Sequence, residues 1–198
     1  MARGKEMQLN DDELEKHLHI QSEYIRNKNT FFCNLKDIMI GDVVLDVDVY
    51  LPTLGVNLQR AFVWTQFQQE QFILSLLKGI DIPPYTIIHD RERQGKDNGP
   101  QYFEVIDGKQ RLCSAIAYAD NKFSIEVAGV RYFFRDLSKE RQRQLLTTGL
   151  CANIAYNYKH TPISDAQKVE WFNFINFAGT PADLEHKRSL EKVLSKNR

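Results

Sequence analysis

Residues 103–112, Phe-Glu-Val-Ile-Asp-Gly-Lys-Gln-Arg-Leu, carry the most chemistry in the chain. An apolar run stops at Asp107-Gly108. Leu112, Ala115, Ile116 and Ala119 then recur at spacings of three and four, which place them on one face of a helix. A strand that turns directly into a helix leaves backbone N–H groups unpaired at the helix start. Those groups and the local dipole suit an anion such as a phosphate. Lys109 and Arg111 stand in that first turn, where cations are unfavourable until an anion or a carboxylate offsets them. Arg111 can offer a planar fork to phosphate oxygens, and Asp107 can hold that fork or a metal ion. The plain alternative is an Asp-Gly turn with solvated charges.

A second candidate lies upstream, at Gln59-Arg60-Ala61-Phe62-Val63-Trp64. Thr65 is a good N-cap for a helix over 66–78 that turns Phe72, Ile73, Leu76 and Leu77 inward, and Gly79 is its stop signal. Arg60 thereby sits just before a second helix start, as a phosphate contact or as a surface salt bridge. Trp64 reads as a core anchor or a cover over the helix start. Asp46 and Asp48 share one face of an alternating strand over 43–50, as a cation site or as its wet face. His17 and His19 are two apart on a helical segment and do not face each other, so a metal role is not expected. Cys33, Cys113 and Cys151 form no CxxC pair, which argues against a zinc site or a disulfide scaffold and fits a reducing compartment.

These groups must be positioned by the rest of the chain. Residues 1–30 read as a peripheral N-terminal helix, residues 31–181 as one domain, and 182–198 as a charged tail with some helix. Phe31 to Tyr50 is strand territory. Pro83-Pro84 feeds a strand over 85–89, a polar loop follows to Gln101, and the central strand and helix come next. Short strands at 123–127 and 130–134 meet at Ala128-Gly129. Ser138 caps a helix through Leu146, and 151–158 is a further strand. A helix after Asp165 aligns Val169, Phe172, Ile175 and Asn176. The mixture of strands and helices reads as α+β. Hydrophobic residues are 42% of the chain, enough for a real core, so disorder throughout is excluded. Lys+Arg and Asp+Glu are both 26, which argues against a protein that coats nucleic acid by charge alone. Arg131, Arg135, Lys139, Arg141 and Arg143, broken by acids, read as a solvated face that is also the best local candidate for touching a phosphodiester backbone. No apolar stretch reaches transmembrane length, and a cytoplasmic protein without membrane partners is expected.

Five motifs occur in one order: Gln59-Arg60-x-Phe-Val-Trp64, Ser75-Leu-Leu-x-Gly79, Ile82-Pro-Pro84, Val105-Ile-Asp-Gly-Lys-Gln-Arg-Leu112, and Phe172 to Pro181 with Ile175-Asn176 and Gly179-Thr-Pro181. The set resembles the N-terminal domain of GmrSD-type modification-dependent restriction enzymes, from about Leu35 to Pro181. The resemblance implies a ParB/sulfiredoxin-like mixed sheet flanked by helices that binds, and in several members hydrolyses, nucleoside triphosphates with Mg²⁺. It implies that Asp107, Gln110 and Arg111 are catalytic, with Asp107 also the metal ligand. It further implies that Gln59, Arg60, Gly108, Lys109 and Asn176 bind the nucleotide. Lys109 stands where the family usually has Gln, which makes binding a firmer expectation than hydrolysis.

The expected function is therefore a nucleotide-binding, and conditionally NTP-hydrolysing, domain in phage defence or counter-defence. No Walker-type or His-rich nuclease motif is present, so its own nuclease is not expected, and a separate nuclease or defence protein and modified DNA are the implied partners. The alternative is a non-catalytic DNA- or protein-binding module. A third reading keeps the fold and transfers phosphate to a protein or small molecule. Cys113 follows the turn closely but faces the apolar side, and reads as a buried small residue.

Overall fold

The structure, a computed structural model, describes residues 28–89, 99–155 and 162–177, with Arg188, Leu190 and Lys192 beyond them. A five-stranded mixed sheet runs in the order β1 (Lys28–Asn34), β9 (Gly149–Ala155), β5 (Tyr85–His89), β6 (Gln101–Asp107) and β2 (Val43–Asp46). β1 is antiparallel to β9, β9 parallel to β5, β5 antiparallel to β6, and β6 parallel to β2. Two small hairpins stand outside it: β3 (Tyr50–Leu51) with β4 (Val56–Asn57), and β7 (Ile125–Val127) with β8 (Val130–Tyr132). Helices α1 (Leu35–Met39), α2 (Gln66–Leu77), α3 (Lys109–Ala119) and α4 (Lys139–Leu146) share one apolar cluster. α5 (Asp165–Phe177) packs on the opposite sheet face. The fold is α+β.

β6 shows why both faces are covered. Phe103 and Val105 point to the side of Leu112 on α3, whereas Ile106 joins Val169 and Phe172 of α5. A strand buried on both faces reads as an apolar run, as Phe103–Ile106 does apart from Glu104. Glu104 is buried on the α5 side, where Lys168 Nζ donates to it at 2.7 Å.

Local chemistry fixes the elements that frame the site. Thr65 and Gln68 form a reciprocal capping box at the start of α2, and the Trp64 ring meets Phe72 edge to face at 5.6 Å. Phe72, Ile73 and Leu76 are buried, Leu77 is half-buried, and Gly79 follows at φ +70°. Ser138 caps α4 by accepting from the Arg141 amide. Ala128 and Gly129 both have positive φ, the backbone that a two-residue hairpin between right-twisted strands requires.

The alternating strand expected over 43–50 is corrected. β2 ends at Asp46, whose Oδ1 accepts from the Asp48 and Val49 amides at 3.1 and 2.8 Å. That side-chain turn replaces ladder bonds and carries Val49 to φ +50°. Asp46 and Asp48 therefore do not share a strand face. The expected strand after residue 31 is likewise interrupted by α1. β9 starts two residues before the expected Cys151. On α5, Val169 and Phe172 are buried with Trp171, but Ile175 is exposed. The N-terminal helix, the loop over 90–98, Tyr156, Tyr158, Gly179-Thr180-Pro181 and most of the tail lie outside the described residues.

Candidate functional site

Gly108 is the N-cap of α3 at φ +109°, and a Cβ placed there would lie 2.2 Å from Tyr85 Cδ1. Both facts demand glycine. The group that approaches this backbone is the buried Tyr85 ring. Arg111, one turn into the helix, lays its guanidinium over the same ring, 4.6 Å from the centroid. Its Nη2 donates to Asp107 Oδ2 at 3.0 Å and to the Pro84 carbonyl at 3.5 Å, and its Nη1 donates to the Pro83 carbonyl. Three of the five donors of the fork are thus engaged. Arg111 fastens the start of α3 to the segment that leads into β5, with Asp107 as its carboxylate. The Tyr85 hydroxyl is buried without a hydrogen-bond partner among the described residues, and burial pushes its pKa up to about 12.

Lys109 leaves the helix in another direction. Its buried ammonium pairs with Asp48, which the Asp46 turn holds at the surface with its side chain 63% exposed. The cation in the first turn is thus offset by a carboxylate, as the helix dipole requires. No sequence signal marks this partner, because the two residues are far apart in the chain.

The two chain reversals meet through amide side chains. Gln59 Nε2 donates to the Val105 and Ile106 carbonyls at 2.8 and 2.6 Å, holding the strap over residues 59–64 against the end of β6. Gln110 Oε1 accepts from the Val63 and Trp64 amides at 2.9 and 3.1 Å, and its Nε2 donates to the Ala61 carbonyl at 3.2 Å. Arg60 is half-buried on this strap, between one clamped residue and the next. The strap that carries Gln59 and Arg60 is therefore held against the Asp107–Arg111 turn, while the Lys109 and Arg111 side chains leave that turn in different directions.

The family model of the GmrSD restriction endonuclease, N-terminal domain, matches residues 41–195, a span that holds the strap, the turn and α5. The chain belongs to this family. Membership sets it in the context of restriction and phage defence. No curated protein and no solved structure matches it. Among the described residues no helix is long and apolar enough to cross a membrane.

Other candidate residues of this GmrSD N-terminal domain lie elsewhere. Asn176 is on α5, across the sheet from α3, and its Nδ2 donates to the Phe172 carbonyl of its own helix at 2.9 Å. Arg131 is engaged by Glu70, by Glu126 at 3.1 Å and by Ser124 at 3.0 Å, and Arg135 lies over the Phe133 ring at 4.9 Å. Cys113 is half-buried rather than buried, and its desolvation raises the thiol pKa, against the pull of Lys109. Among the described residues no group of three or more His, Cys, Asp and Glu side chains is placed to hold a metal ion. Asp107 stands as a single carboxylate, 37% exposed. That fits Mg²⁺ carried in on phosphates, which needs one or two carboxylates, and does not fit an all-protein cage.

Proposed function

We propose that this GmrSD N-terminal domain, with a ParB-like architecture, binds a nucleoside triphosphate beside the start of α3 and so serves phage defence or counter-defence, together with a nuclease or defence protein and DNA. The observation that carries the reading is the clamp of Gln59 and Gln110. It holds the strap bearing Arg60 against the start of α3, where Asp48 fixes Lys109 on one side and Asp107 and Tyr85 fix Arg111 on the other. A cation fixed by its neighbours loses little freedom on binding a phosphate, and Lys109 is the one that reaches away from the Pro83–Pro84 segment. Mg²⁺ arriving with the triphosphate would be held by Asp107 and would supply charge neutralisation at phosphate oxygens.

The test is thermal shift and phosphate release with each of the four NTPs and Mg²⁺. A ligand at ~100 times its Kd stabilises by about 2.7 kcal/mol, a shift of several degrees in a domain of this size. A folded sample that neither shifts nor releases phosphate overturns the proposal. One observation favours the non-catalytic alternative: the charges of Lys109 and Arg111 are each met by a carboxylate of the chain itself, Asp48 and Asp107. That reading predicts DNA binding that weakens steeply with salt and survives Arg111→Ala.

A further inference from the structure

A cavity of about 400 Å³ opens on the side of α3 away from Arg111, walled by Ile38, Leu45, Val47, Phe62, Cys113 and Ile116, with Gln69 and Lys122 as its polar members. We infer that this cavity takes a planar heteroaromatic ring and forms the base-binding half of the nucleotide site. The inference rests on the nucleotide-binding reading above.

Its volume lies within the usual range for small-molecule sites, and its walls are apolar with few polar groups, the composition that suits a flat ring with a polar edge. Phe62 is 40% exposed at the cavity wall, on the strap that Gln110 clamps, so it offers a ring face for stacking. The Gln69 amide makes only a long bond, 3.4 Å, to the Trp64 carbonyl, and can turn to the edge of a base. Lys109, Cys113 and Ile116 follow at i, i+4 and i+7, so Lys109 borders the same helix face as the cavity. Asp48, its partner, directly follows the lining residue Val47. Arg111 lies two residues on from Lys109, about 200° round the helix. A base in the cavity therefore brings its phosphates to Lys109, where they exchange with the exposed Asp48 carboxylate.

The experiment measures NTP and phosphate-free nucleoside binding by calorimetry on wild type, Ala117→Leu and Phe62→Ala. Alkylation of Cys113 and Cys151 by N-ethylmaleimide, read by peptide mapping, follows occupancy. Ala117 also lines the cavity, so the larger side chain fills it; Phe62→Ala removes a partly exposed ring and keeps the test valid if the first variant does not fold. The expected result is at least tenfold weaker binding in either variant, with Cys113 and not Cys151 protected by ligand. If wild type and both variants bind NTP equally, and Cys113 reacts at one rate with and without it, the cavity assignment fails while triphosphate binding stands. If wild type binds neither NTP nor nucleoside, both proposals fail.

Discussion

Gly108 meets two demands at once, a left-handed backbone and room for the Tyr85 ring. The second separates it from other positive-φ glycines. Gly79, at φ +70°, has nothing within 4 Å of a built Cβ. Gly79→Ala should therefore cost about 1 kcal/mol of backbone strain. Gly108→Ala adds a clash that only a shift of Tyr85 or of the helix start can relieve, and should cost ~3 kcal/mol or more. Urea unfolding of the two variants measures the difference, and equal costs would show that Tyr85 yields freely. The demand for glycine was visible in the Asp-Gly turn. The ring that enforces it was not, because Tyr85 reaches Gly108 only through the pairing of β5 with β6.

At the scale of elements, the strap is held by side-chain amides more than by its own secondary structure. Gln110→Ala removes the acceptor for the Val63 and Trp64 amides, and their hydrogen exchange should accelerate by at least tenfold while that of β6 stays slow. Gln59→Ala removes the side-chain donor to two carbonyls at the end of β6 and should cost about 1–3 kcal/mol in denaturant unfolding. Unchanged exchange in the first variant would mean that the strap does not depend on the clamp. α2, β5, the β7–β8 hairpin and α4 were all legible, since caps, stop signals and turn residues act within a few positions of the chain. β2 misled the pattern: Val47, Val49 and the intervening aspartates alternate as a strand does, but Asp46 bonds forward to the backbone and ends it.

At the level of the whole fold, the half-buried Lys168 joins α5 to the sheet through the buried Glu104. Lys168→Met should destabilise by about 1–3 kcal/mol, because it takes one charged donor from a buried carboxylate, whereas Lys168→Met with Glu104→Leu should recover most of that loss. Urea midpoints of the single and double variants decide it. The core also predicts an alkaline limit. Burial raises Cys33 from 9.0, and Tyr85 and Tyr118 from 10.0, each to about 12. Above pH 9 the unfolded chain releases protons that the fold retains, so stability is fully present below pH 9 and falls between pH 9 and 12. Urea midpoints followed across that range, with tyrosinate absorbance alongside, should decline together; a midpoint unchanged to pH 11 would contradict the burial of these groups.

Reading along the chain was enough to find the strand, turn and helix at residues 103–119, the capped helix that follows the strap, and the ordered motifs that place the chain in its family. Those features depend on local propensity and on spacings along one element. The partner of each charge emerged in three dimensions, with Asp48 for Lys109 and the Pro83 and Pro84 carbonyls beside Asp107 for Arg111, as did the placing of Asn176 on the far sheet face. Pairings between residues tens of positions apart are set by strand order and helix direction, and a single strand or helix carries no trace of them.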